Sequence, residues 1–240
     1  MTESINANPD EPHDQNFAER LNWLRAGVLG ANDGIVSVAA TVVGVAGVTN
    51  QSAPIFTAGM AAVIGGAISM ALGEYVSVSS QRDSQRALVE KERQELAEDP
   101  EAELAELAGI YQAKGLSEET ALQVATELTE RDALAAHLQA ELNIDEEEVV
   151  NPWHAAYASA AAFVVGAILP MLAIMLPPDH LRIPVTFIAV LLALALTGTL
   201  GAYIGGSSKR VAALRLVIGG TLALAATFFI GSLLGSSGII

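Results

Sequence analysis

Carboxylates and one histidine recur at three- and four-residue spacings in the middle of this chain. Glu92 and Glu95 form one such pair, Glu103 and Glu106 a second, and His137 and Glu141 a third. Residues three or four apart share a helix face. Each pair can therefore offer two oxygens, or an oxygen and an imidazole nitrogen, to one ion. Hard and borderline divalent cations take such ligands. A solvated acidic face has the same spacing, because glutamate is common on any exposed helix, so both readings stand. The run Glu146-Glu147-Glu148 reads as solubilising charge at a helix end.

Two further carboxylates have a different setting. Asp33 and Glu74 fall inside long apolar stretches, and Met70 lies one turn before Glu74 on the same face. An ionisable group in a membrane span costs about 3 kcal/mol and usually marks an ion pathway or a proton relay. The alternative is a place near the interface from which the group snorkels, which the short Asp and Glu do less well than Lys or Arg. A thioether beside carboxylates adds a softer ligand, suited to a transition metal rather than to sodium or calcium. Taken alone, a methionine in a span is more often packing.

The elements that must hold these residues follow from the charge distribution. Of the 240 residues, 52% are hydrophobic and only 16% charged, and the mean hydropathy is +0.43. Soluble domains carry about 25% charge. The absence of cysteine excludes disulfides, thiolate zinc sites and cysteine nucleophiles. A net charge of −15 argues against a nucleic-acid partner and suits cations. Residues 81–150 hold 19 of the 27 acids and 6 of the 12 bases. The remainder is apolar and contains five stretches that reach the ~20 residues needed to cross a bilayer. They run from about Ala26 to Val48, Pro54 to Val78, Trp153 to Leu176, Ile183 to Ile204 and Val211 to Leu234. The first 16 residues are polar and acidic, unlike the basic start of a removable signal sequence.

This pattern predicts an all-α polytopic membrane protein with five transmembrane helices and an acidic three-helix insert between the second and third. The expected divisions are an N-terminal segment (1–25), spans one and two (26–80), the insert (81–150) and spans three to five (151–240). Within the insert, Arg82 to Glu98 continues span two as a helix. Asp99-Pro100 breaks it, because proline lacks the donor and restricts its predecessor. Glu101 to Lys114 forms the next helix, ended by Gly115. Ser117 caps a third, which runs to about Leu142. Small residues at Gly65, Gly66, Ser69 and Gly73, and GxxxG pairs at Gly201/Gly205 and Gly231/Gly235, predict close helix packing and an oligomer. Pro170 predicts a kink in span three.

Orientation follows from the basic residues near span ends. Arg20, Arg25, Arg82, Arg86, Lys209, Arg210 and Arg215 fall on one side of an alternating chain, and Arg182 alone on the other, a ratio of 7 to 1. The N-terminus and the insert are thus expected in the cytosol and the C-terminus outside.

The segments Ala31-Asn32-Asp33-Gly34-Ile35-Val36-Ser37 and Ser69-Met70-Ala71-Leu72-Gly73-Glu74-Tyr75-Val76-Ser77 carry a resemblance. Together with five spans and a glutamate-rich insert after the second, they resemble the vacuolar iron transporter family over nearly the whole chain from about Phe17. The resemblance implies a homodimer whose conduction path lies at the subunit interface, lined largely by span one. It implies a non-enzymatic transporter without a prosthetic group, which moves Fe(II), and often Mn(II), out of the cytosol in exchange for protons. Asp33 and Met70 fall on the family's membrane metal site. Glu92, Glu95, Glu103, Glu106 and Glu141 fall on the insert's metal-binding glutamates. His137 stands near methionines of a eukaryotic relative and offers imidazole instead. Another intramembrane glutamate of that relative aligns near Ala62. The implied mechanism gathers ions on the insert, passes them to Asp33 and Met70 of both subunits, and releases them when protons reach carboxylates such as Asp33 and Glu74. The short chain leans bacterial, hence the plasma membrane. Two rivals fare worse. A ferritin-like iron oxidase uses Glu-x-x-His pairs, but Leu134 stands three residues before His137. A metal sensor leaves Asp33 without a purpose and lacks a signalling domain.

Overall fold

The computed structural model describes residues 15–144 and 151–237, with side-chain surroundings from residue 27 onward. The run Glu146–Glu148 lies outside the described residues, as does the C-terminal Ile240. The described chain is all helical: α1 (Gln15–Ala46), α2 (Ser52–Glu98), α3 (Pro100–Ala113), α4 (Glu118–His137), a π turn (Leu138–Leu142), α5 (Pro152–Met175), α6 (Arg182–Ile204) and α7 (Lys209–Ser236). Five of these, α1, α2, α5, α6 and α7, are long and apolar enough to cross a membrane. The chain divides into two compact units, one running to Tyr75 and resuming at Trp153, the other covering Val76–Pro152.

In the apolar unit, α1 is the central helix. Ile35, Val38, Ala39, Val42, Val43 and Ala46 recur at three and four residues and are all buried. They join Phe163 and Ile174 of α5, Val190 and Leu194 of α6, and Leu224 of α7 in one core. Between helices in lipid there is no water to expel, so close backbone approach carries the packing. A Cβ at Gly34 would overlap the carbonyl oxygen of Phe163, and one at Gly166 would overlap that of Ala31. At Gly231 it would meet the carbonyl of Gly44, and at Gly235 the Cα of Val48 at 3.1 Å. The expected pair Gly231/Gly235 is thus a seam between α7 and α1. Gly65 and Gly73 face open space, however, and Gly201 meets only a Val28 methyl at 3.5 Å. α5 stays helical through Pro170.

On α2, Ile64, Ile68, Leu72 and Val76 form an exposed stripe at four-residue spacing. At one end of the unit Arg182 is buried. Its Nη1 donates to the Asn50 carbonyl (2.9 Å) and its Nη2 to Ser52 Oγ (2.6 Å), and it pairs with Asp179 at 2.9 Å. The α1–α2 and α5–α6 connections therefore lie at the same end, as alternating spans require.

In the acidic unit the expected caps are present. Asp99 accepts from the Ala102 amide (3.1 Å) with Pro100 behind it, and Ser117 accepts from the Thr120 amide (3.3 Å). Gly115 takes φ +102°, which an L side chain rarely adopts. α3 and α4 form a helical hairpin around Leu107, Ala108, Ala125 and Ala136. The third insert helix departs from the expected straight run to Leu142. At Asp132 the backbone is extended (φ −165°, ψ 96°), and its side chain accepts from the Ala135 amide at 3.0 Å. An aspartate that caps a new start competes with the helix it interrupts. The chain then widens into the π turn, which ends on Asn143 at φ 51°.

Candidate metal centre

Four predicted residues meet inside the acidic unit. Glu92 comes from α2, Glu103 from the first turn of α3, His137 from the end of α4 and Glu141 from the π turn. His137 is fully buried and Glu92 is 3% exposed. The His137 Nδ1 lies 2.9 Å from Glu92 Oε1, 3.6 Å from Glu103 Oε2 and 3.9 Å from Glu141 Oε2. Ligand atoms of Glu92, His137 and Glu141 all fall within 4.8 Å of one another. The restart at Asp132 and the wider turn after it set the direction of His137 and Glu141. π turns recur at functional sites.

Close approach here does not mean satisfaction. Neither ring nitrogen of His137 makes a hydrogen bond, nor does Glu92 Oε1. The oxygen lies near Nδ1 but off the N–H direction. A buried polar atom left without a partner costs about 1–3 kcal/mol, and this site has three. One imidazole among three carboxylates is a donor set for a borderline divalent cation such as Fe(II), Mn(II) or Zn(II). A cation would satisfy Nδ1 and the Glu92 oxygen together.

The remaining insert residues are placed differently. Glu95 is gripped by Lys91, whose Nζ lies 2.6 Å from both carboxylate oxygens. Glu106 is exposed. His137 and Glu141 stay together, but the two glutamate pairs are split. The inner member of each faces His137, and the outer member contributes field rather than contact. Lys91 is a partner that the glutamate spacing alone overlooks, although its four-residue offset from Glu95 marks the pairing. Asp132 was likewise missed, and its signal was the short polar side chain three residues before a free amide.

Burial, with the charges of Glu141, Glu103, Glu95 and Glu106, pushes the Glu92 carboxyl up to about 7. Glu103 is also raised, by burial first and then by Glu106, while His137 acts in the opposite direction. Below about pH 7 Glu92 holds a proton that an arriving cation must displace. Affinity of this unit for Mn(II) is therefore expected to fall as pH drops through about 7, by roughly tenfold per unit. Titrating the whole protein with Mn(II) at pH 8 and pH 6 measures it. The same shift sets the stability of the metal-free unit. The folded value lies above the unfolded one, so the stabilisation is complete below about pH 4.5 and is lost as pH rises through about 7.

The membrane candidates lie in the apolar unit. Asp33 is exposed on α1, and Ser37 Oγ donates to its Oδ1 at 2.6 Å. Met70 packs against the apolar core, with its side chain partly buried. Glu74 is half-buried on α2.

Comparison with known proteins gives a consistent picture. Residues 24–232 match the profile of the VIT family. A vacuolar iron transporter of Acanthamoeba castellanii is 43% identical over 212 residues, covering 88% of this chain and 78% of the relative. Vacuolar iron transporter homolog 2.1 of Arabidopsis thaliana is 32% identical, covering 95% of this chain and 88% of the relative. Vacuolar iron transporter homolog 1 of Oryza sativa subsp. japonica is 35% identical, covering 93% of this chain and 79% of the relative.

Proposed function

Since the chain belongs to the VIT family, a family of transporters rather than enzymes, we propose that it moves Fe(II), and Mn(II) as well, out of the cytosol in exchange for protons. Iron is cargo here and not a prosthetic group. The observation that carries the metal assignment is the buried His137, unpartnered among Glu92, Glu103 and Glu141. The acidic unit captures the ion through these groups. Asp33 takes it up in the membrane, with Met70 as a soft neighbour and Glu74 as a second proton-accepting carboxylate. A proton arriving from the far side competes for the same oxygens, so metal hold weakens with acidity. Asp33 also supports a homodimer. An exposed carboxylate on a helix that crosses lipid needs a polar surrounding, and a second copy across α1 supplies one.

Uptake of radiolabelled Fe(II) into proteoliposomes tests the function. A sensor or a storage protein binds iron without filling the vesicle lumen, whereas a transporter fills it and stops when the proton gradient is collapsed.

The orientation rests on the basic asymmetry. Because the chain has no cysteine, Gln51→Cys and Gln112→Cys each introduce a single label site. In intact cells a membrane-impermeant thiol reagent is expected to label the first and not the second. The reverse pattern overturns the assignment.

A further inference from the structure

Asp33 owes its orientation to a neighbour four residues on. Hydroxyls in helices ordinarily donate to the carbonyl one turn back. Thr41, Thr57, Thr186, Thr199 and Thr221 all do so in this protein, at 2.6–2.9 Å. Ser37 does otherwise. Its hydroxyl passes over the carbonyl of residue 33 and donates to that residue's carboxylate, at 2.6 Å from Oδ1. Among the described residues no other hydrogen bond or ion pair reaches the Asp33 carboxylate. A short bond from a hydroxyl to a charged oxygen is directional and stronger than a neutral one. It fixes the carboxylate on its helix, occupies Oδ1 and leaves Oδ2 open.

We propose that Ser37 is a positioning residue for transport, holding Asp33 so that Oδ2 meets the passing cation in one orientation. This rests on the reading of Asp33 as the membrane ligand. A ligand already oriented loses less freedom when the ion binds, so the contribution of Ser37 lies in affinity rather than in turnover. Threonine carries the same hydroxyl on the same atom and can make the same bond, whereas alanine cannot.

The test compares Ser37→Ala, Ser37→Thr and Asp33→Ala in proteoliposomes at equal protein, with initial rates measured against the concentration of radiolabelled Fe(II). Ser37→Ala is expected to raise KM about ten- to hundredfold, the range for one hydrogen bond to a charged group, with the maximal rate within about twofold of the parent. Ser37→Thr is expected to restore the parental KM. Asp33→Ala is expected to be inactive. If Asp33→Ala is inactive and Ser37→Ala keeps the parental KM, the positioning role is wrong and the reading of Asp33 survives. Equal losses of maximal rate in both serine variants at unchanged KM also overturn it, since they mark a packing role. Parental transport by Asp33→Ala overturns the reading of Asp33 itself.

Discussion

Asp33→Ala is expected to reduce iron transport in proteoliposomes to the level of protein-free vesicles, while the protein still inserts and elutes at the parental size. The carboxylate is exposed on a helix long and apolar enough to cross a membrane, and its described partner is a single hydroxyl. A charge inside a span is costly, about 3 kcal/mol at its centre and less toward its ends. Its removal should therefore not harm folding. On the proposed reading it removes the anionic ligand, and no neutral side chain replaces that attraction for a divalent ion. Met70→Ala is expected to give a smaller loss with blunted preference for Fe(II) over Mg(II). Sulfur is a weak neutral ligand, and Met70 also packs against the core. Initial rates with competing Mg(II) measure both.

The second large effect belongs to the acidic unit. His137→Ala is expected to weaken Mn(II) or Fe(II) binding there by about 10- to 100-fold, a range typical for damage to a metal's immediate surroundings. The imidazole lies within 3.9 Å of three carboxylates from three elements, and no side chain in the site is more deeply enclosed. Glu106→Gln is expected to change binding by less than about twofold, because that group is exposed and acts through the field alone. Calorimetric titration of the whole protein in the Asp33→Ala background isolates this unit from the membrane ligand. Equal losses in the two variants would return the cluster to an acidic surface.

Much of the fold was legible in the sequence because length and missing charge suffice to mark helices that cross lipid. The breaks at Asp99-Pro100, Gly115 and Ser117 were legible for a similar reason, since each is decided within three or four residues. Asp132 was not. Its side chain competes with an intact helix, and a local rule gives no winner. The metal candidates were legible as residues but not as a set. Spacing pairs Glu92 with Glu95 and Glu103 with Glu106, whereas the fold pairs Glu92 and Glu103 with His137 across three elements and gives Glu95 to Lys91. Periodicity describes one helix at a time, and burial of an imidazole is a property of several. Glycines behaved likewise. Of the small residues singled out for close packing, Gly66 and Gly231 are crowded while Gly65 and Gly73 are open, and Gly34 and Gly166, which the pattern did not mark for packing, are crowded too.

The glycine seams divide the chain's intolerant positions into two kinds. At Gly34, Gly166 and Gly231 a single added methyl group collides with the backbone of a neighbouring helix, and no rotamer change relieves a clash with a main chain. None of the three bears a group that could touch an ion. In a survey of variants such positions are expected to be silenced together with Asp33, yet for the opposite cause: they lose the molecule, whereas on the proposed reading Asp33 loses transport. Cellular abundance of each variant, set beside its transport, separates the architecture of this protein from its chemistry.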